Sequence, residues 1–353
     1  MSEAVTKNTV WNLITELSNK KGITDIIINN HKTIFVEREG QLIQLNVILT
    51  QPDIEDFIHE VALYNKKECH QDNPIMDGNL PDGSRINVIL GPFAKGSPAV
   101  TIRKYLPYIR DFDSDPHLFA LNTQWVEYFK AAVKARLNII VAGGTGAGKT
   151  TFMNLMLNEL NSNERVITIE DTIELQIKIP NTVRLESGGQ NLASKVQLTS
   201  RDLVKNTLRM RPDRIIIGEV RGGEMFDLLQ AMNTGHEGSM TSVHANSPGE
   251  CLSRMETLYL IAGFDVPYHV VRKQMSQAID VIVQISRARS GKRVVSHLSE
   301  ITGMEGDVIS MQTIATYNED KDALVFTGIP SSRIKQLHDR AGLPIDFFNN
   351  IIR

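Results

Sequence analysis

The sequence predicts a two-domain α/β protein: a small α+β domain followed by a RecA-like P-loop domain built on a mainly parallel sheet. Three observations carry this reading. The chain has 353 residues, more than one hydrophobic core usually serves. Helical and strand patterns alternate beyond residue 118, as in parallel sheets covered by helices. Residues 143–150, Gly-Gly-Thr-Gly-Ala-Gly-Lys-Thr, fit G-x-x-x-x-G-K-[ST] between an apolar run and a helical pattern.

The first domain, of PAS-like type, is expected over 1–106. Its opening 20 residues predict a helix with Val10, Leu13, Ile14 and Leu17 on one face. Strand-like runs follow at 23–28, 33–38 and 42–48, with Glu39-Gly40 as the turn between the last two. A helix is expected near 52–64. Pro81-Asp82-Gly83 then punctuates a second strand pair, 84–90 and 99–104. Pro107, Asp111, Asp113, Ser114, Asp115 and Pro116 have linker composition, and 107–117 is the expected boundary and hinge.

The second domain, 118–353, begins with a helix near 123–136 and a strand at 138–142. After the glycine-rich loop come a helix to about 160, strands at 165–170 and 182–187, and a helix near 200–210. Asp213-Arg214-Ile215-Ile216-Ile217 has the apolar core of a strand buried on both faces. Val281–Ser286 and Val294–Leu298 flank Ser290-Gly291-Lys292 and predict an antiparallel hairpin appended to the sheet, before a helical tail.

Composition narrows the function. With 41% hydrophobic and 22% charged residues, the chain is an ordinary globular protein. Its net charge of −3 is evenly spread: residues 1–110 hold 12 Lys+Arg against 13 Asp+Glu, leaving 26 against 28 of the totals 38 and 41. No basic arm is present, so constitutive nucleic-acid binding is not expected. Cys69 and Cys251 form no C-x-x-C pair, which predicts reduced thiols and no zinc. The opening Met-Ser-Glu-Ala-Val-Thr-Lys lacks a signal-peptide layout, and no apolar stretch approaches ~18 residues. A cytoplasmic protein is expected, able to dock on a membrane complex.

The chemistry concentrates in four blocks. In the first, Gly143, Gly144, Thr145, Gly146, Ala147 and Gly148 can turn backbone N–H groups onto phosphate oxygens, helped by the start of the next helix. Lys149 is placed to reach β- and γ-phosphates, Thr150 to ligate Mg²⁺, and Thr151 extends the same helical turn. A nucleoside triphosphate is the implied ligand, ATP with Mg²⁺. In the second block, Glu170, Asp171 and Glu174 follow a strand, and either face the nucleotide with Mg²⁺ between them or form a solvated acidic loop. The third, Ile215-Ile216-Ile217-Gly218-Glu219, ends in a carboxylate where a Walker B acid would lie, with Gly218 at the place of the usual Asp. Glu219 can orient or deprotonate a water or form a surface ion pair. The fourth, Gly235–Asn246, sets His236 and His244 on either side of a short strand. Their spacing is wrong for a helical metal pair, and the residues leave sensing of a γ-phosphate and a structural role equally open. Arg85 and Arg103 in the first domain, and Arg201, Arg209, Arg211, Arg214 and Arg221 in the second, supply cations without singling one out.

In this order the blocks resemble the secretion-superfamily ATPases of type II, type IV pilus and type IV secretion systems. They match a Walker A loop at 143–150, an Asp box at 169–175, an atypical Walker B at 215–221 and a His box at 235–246. Leu80–Asn87, Thr101–Lys104 and Glu300–Asp307 further resemble the CpaF-like ATPases of tight-adherence (Tad/Flp) pili. The resemblance implies a homo-hexameric ATPase ring, peripherally attached to an inner-membrane pilus platform. It also implies that Arg85 and Arg103 reach the γ-phosphate and that Arg209 and Arg221 lie at the subunit interface. Catalytic roles are then expected of Glu219, Lys149, Glu170, Glu174, His236 and His244. Metal contacts are expected of Thr150, Glu170 and Glu219.

Overall fold

The computed structural model describes residues 9–20, 22–38, 41–91, 93–104, 111–115, 117–187 and 198–351. These form two compact units. The expected Glu39-Gly40 turn and residues 107–110 and 116 of the expected linker lie outside the described residues.

The first unit runs α1 (Thr9–Ser18), β1 (Ile23–Asn30), β2 (Thr33–Arg38), β3 (Gln41–Leu45), α2 (Gln51–Tyr64), β4 (Ile75–Asn79), β5 (Arg85–Ile89) and β6 (Ala99–Arg103). Helix α2 starts where Thr50 and Asp53 satisfy each other's backbone N–H groups, a reciprocal cap. The six strands form one antiparallel sheet in the order β3-β2-β1-β6-β5-β4. Strand β4 escapes a periodicity reading because Ile75-Met76-Asp77-Gly78-Asn79 holds two apolar residues and a glycine. Ile26, Ile28, Val36, Ile86, Val88, Val100 and Ile102 alternate inward and join Phe57 of α2 in one core.

The second unit runs α3 (Thr123–Lys134), β7 (Ile139–Gly143), α4 (Lys149–Leu157), β8 (Val166–Glu170), β9 (Thr182–Glu186), α5 (Ser200–Thr207), β10 (Arg214–Ile217), α6 (Glu224–Asn233), β11 (Met240–Val243), α7 (Pro248–Ile261), α8 (Tyr268–Ala278), β12 (Val281–Arg287), β13 (Arg293–Glu305), β14 (Val308–Asn318), β15 (Ala323–Phe326) and α9 (Ile334–Ala341). The sheet order is β15-β14-β13-β12-β7-β11-β10-β8-β9. The six strands from β12 to β9 are parallel, and β13 to β15 extend the sheet antiparallel. Every residue of β7, β8, β10 and β11 is buried, as a sheet covered on both faces requires. One face packs α3, α4 and the C-terminal segment, the other α5 to α8.

Two polar devices hold the amino ends of the central strands. Arg214 is 1% exposed. It donates to the Glu164 carboxylate, to Val133 O at 2.8 Å and to Gly238 O at 3.3 Å. Gly238 has φ +83°, and a Cβ there would strike this guanidinium, so the glycine is obligatory on both counts. Asn138, 4% exposed, joins three strands. Its Oδ1 accepts from Gly238 N and Ser239 N at 2.8 and 3.1 Å, and its Nδ2 donates to Ala278 O at 2.7 Å. Its own N–H donates to Asp280 Oδ2 at 2.7 Å. Replacing Asn138 with Ala strands two donors and an acceptor in a dry site. We expect roughly 3 kcal/mol of lost unfolding free energy, measured by urea denaturation; a loss below about 1 kcal/mol would show that the strand starts are held otherwise.

Candidate nucleotide-binding site

The glycine loop leaves β7 at Gly143, where a Cβ would lie 2.7 Å from Ile285 O of β12. Only glycine lets the two backbones pass this closely. Gly146 and Gly148 hold φ of +68° and +107°, conformations other residues adopt only with strain. A Cβ on Gly148 would also meet Arg293 Cδ at 2.9 Å and the Phe119 ring at 3.1 Å. Helix α4 starts at Lys149 without a side-chain cap, so the electropositive end of its dipole points toward the loop. Lys149 Nζ curls over the loop, donating to Gly143 O at 3.1 Å and Gly144 O at 3.2 Å. Ala147 is buried with its N–H on Gly144 O, Thr145 is exposed, and Thr150 and Thr151 are half-buried in the first helical turn. The loop is a cationic concavity of backbone amides around one ammonium, suited to a polyphosphate.

The carboxyl ends of β8 and β10 lie side by side, beyond β11 from the loop strand. Glu170 ends β8 and is 4% exposed. Its Oε1 accepts from Glu174 N at 2.8 Å and Leu175 N at 2.9 Å, so the carboxyl closes the turn of the Asp box. One oxygen of the Glu170 carboxyl is thus folded into the turn. Burial pushes its pKa up to about 7, although the two amides pull it down. Its Oε2 is buried with no hydrogen-bond partner. A Cβ on Gly218 would lie 3.0 Å from Glu170 Cγ. The space an aspartate would need at the end of β10 is thus filled from the neighbouring strand, which explains the glycine in the Walker B position.

Glu219 follows, about a quarter exposed, and its Oε2 accepts from Arg221 Nη2 at 2.7 Å and Nε at 3.1 Å. Arg221 Nη1 donates to Asp171 Oδ2 at 3.0 Å. Asp171 Oδ1 accepts from Ser187 Oγ at 2.8 Å. Arg221 therefore joins the Asp box to the Walker B end within one chain, and its pairing with Glu219 raises its pKa. Among the described residues no three His, Cys, Asp or Glu side chains could hold a metal by themselves. A divalent ion here would need nucleotide oxygens and water, as Mg²⁺ usually does. The Thr150 hydroxyl and the orphaned Glu170 oxygen are donors of the hard type such an ion takes.

The two histidines part company. Strand β11 runs parallel to β7 with Val243 opposite Ala142, so the exposed His244 stands level with Gly143. His236 precedes β11 at the opposite edge of the sheet, its Nδ1 3.3 Å from Ala231 O at the end of α6. Expected as a catalytic group, it instead closes a helix end. Arg209 follows α5 and is exposed at that same far edge. Arg85 and Arg103 lie in the first unit as direct partners on β5 and β6, opposite in face to the inward Ile86 and Ile102.

Sequence reasoning passed over Arg287, Arg293 and Phe119, all of which border the loop. Arg287 Nη2 donates to Gly146 O at 3.3 Å, and Arg293 and Phe119 crowd Gly148. The one signal available was that the two arginines flank the Ser290-Gly291-Lys292 turn.

Fold and loop together define a two-domain α/β protein of the P-loop class. The chain belongs to the type II/IV secretion system protein family, whose profile matches residues 8–317. It is 32% identical to the conjugal transfer protein TrbB of Rhizobium radiobacter over 302 residues, 84% of this chain and 90% of that protein. It is 31% identical to the type IV secretion system protein VirB11 of Bartonella quintana over 315 residues, 78% and 87% of the two chains. Among solved structures, the ATPase DotB of Legionella pneumophila superposes with a TM-score of 0.58 at 20% identity, covering 90% of this chain and 82% of that one. This last likeness concerns the fold.

Glu170 gives the site a pH signature. Its folded pKa, about 7, lies above the ordinary carboxyl value of 4.5. The native state therefore holds its proton longer than the unfolded chain. Stability from this group is full below pH 4.5 and is lost as pH rises toward 7, by up to roughly 3 kcal/mol. Glu170→Gln keeps an acceptor for the two amides without the charge. Without nucleotide or Mg²⁺, we expect the variant to match the parent near pH 5 and exceed it by roughly 1–3 kcal/mol at pH 8 in denaturant titrations. Parallel pH profiles would show that the carboxylate is not desolvated.

Proposed function

We propose that this chain is an ATP-hydrolysing motor, working as a homo-hexameric ring, that drives assembly of a Tad-type type IV pilus. The observation that carries the enzymatic part is the placement of Lys149 and the amide loop at the same sheet edge as Glu219. The loop binds the β- and γ-phosphates, Lys149 leaves the loop carbonyls for the phosphate oxygens, and Thr150 and Glu170 would hold Mg²⁺ together with phosphate oxygens and water. Bound Mg²⁺ would neutralise charge building on the leaving phosphate. Glu219 orients the attacking water, and His244 stands where it can sense the γ-phosphate. Glu174 contributes its backbone amide to holding Glu170. Arg209 and Arg221 face the neighbouring subunit.

The pilus assignment is supported by Leu80–Asn87, Thr101–Lys104 and Glu300–Asp307. In the fold, Glu300–Asp307 spans β13 and its turn into β14. A second reading, a type IV secretion ATPase moving protein or DNA–protein substrates, is favoured by the conjugal transfer and VirB11 relatives. No helix among the described residues is long and apolar enough to cross a membrane. We place the ring at the cytoplasmic face of the inner membrane, held by platform proteins. Deleting the gene in its host decides between cargoes: lost surface pili with normal conjugation and secretion supports the first reading, the reverse the second.

Lys149→Ala should abolish phosphate release and weaken ATP binding, because Lys149 is the fixed charge over the loop. Glu219→Gln should retain ATP binding and lower turnover on the order of 10²-fold. Turnover of the parent should rise with protein concentration if sites are completed by ring assembly. A merely twofold effect of Glu219→Gln would move the water-orienting role to the Asp box.

A further inference from the structure

We propose that Arg287 and Arg293 form the nucleoside end of the site, taking the α-phosphate of a nucleotide whose β- and γ-phosphates lie in the loop. This rests on the nucleotide reading above and adds which way the ligand lies and what holds its other end.

The direction follows from strand order. β7 carries the loop and has β12 on one side, with β11, β10 and β8 on the other. Glu219 and the Asp box stand on the β10–β8 side, so the γ-phosphate and the attacking water belong there. A phosphate chain laid across the loop must then run its nucleoside end toward β12. Two arginines stand there. Arg287 ends β12 and Arg293 begins β13, and they are direct register partners. Arg287 Nη2 lies 3.3 Å from Gly146 O, and the Arg293 stem would be 2.9 Å from a Cβ on Gly148.

Their charges point the same way. Arg289 pairs with Glu319 at 3.3 Å and Lys292 with Asp322, whereas Arg287 reaches a loop carbonyl. Two guanidinium forks give an α-phosphate the planar, charge-assisted donors it binds best.

The test is calorimetric titration of the full chain with ADP and with inorganic pyrophosphate, both with Mg²⁺. Pyrophosphate lacks an α-phosphate attached to a nucleoside and can sit in the loop alone. Arg287→Gln and Arg293→Gln retain the aliphatic stems at exposed positions, and thermal melts check that the fold persists. We expect each variant to weaken ADP about tenfold while changing pyrophosphate less than about twofold. Unchanged ADP affinity, or equal loss for both ligands, would overturn the proposal, the latter showing that the arginines merely shape the loop. If the parent chain binds neither ligand, the nucleotide reading itself fails and this one with it.

Discussion

The site depends on a stitch made at the other edge of the sheet. Asn138 ties the starts of β7, β11 and β12 through four hydrogen bonds. Strands in a sheet repeat every two residues, so a slip of one would turn each inward side chain outward. With the starts fixed, the register is carried along the strands: Val243 stands opposite Ala142, and Ile285 opposite Gly143. The glycine loop therefore leaves the sheet at a set level between His244 and the β12 backbone. A buried amide five residues earlier in sequence thus decides where the phosphate cradle begins.

At the carboxyl edge the same register sorts charge. Carboxylates gather beyond β11 and guanidinium groups gather at β12, with Lys149 between. Crowding Glu170, Asp171, Glu174 and Glu219 costs self-repulsion, and the structure offsets it in two ways. Glu170 withdraws into a turn and holds its proton up to about pH 7. Arg221 spans Glu219 and Asp171. Gly218 is the enabling residue, because any side chain there would displace Glu170.

Much of this was legible in the sequence, for identifiable reasons. The loop was legible because its glycines, lysine and threonine do their work within eight consecutive residues. The parallel core was legible because Ile139–Ala142 and Ile215–Ile217 are apolar on both faces. Glu219 was legible because it follows such a strand directly. What the sequence hid depends on strand order, which adjacent residues do not encode. That β12 lies beside β7, bringing Arg287 and Arg293 to the loop, is a long-range fact. So is the fate of Glu170, whose burial follows from Gly218 on another strand. His236 and His244 look equivalent eight residues apart, yet a four-residue strand between them sends one to each edge.

Two contacts at the site set what a ligand has to displace. Glu219 is engaged by Arg221, and Lys149 by the loop's own carbonyls. Neither hold is strong. The Arg221 guanidinium is largely exposed, and a pair of that kind contributes at most about 1 kcal/mol. The Lys149 bonds are neutral-acceptor bonds that phosphate oxygens, being charged, outcompete. An incoming polyphosphate offers Lys149 charged acceptors in place of Gly143 O and Gly144 O. Freeing Glu219 requires a second anion, or a shift of the segment after β10, to claim Arg221. The Lys149 and Glu219 contacts lie on opposite sides of β11 and have different partners, so on the function proposed above phosphate binding and water activation are separable, as different movements on binding and on hydrolysis require.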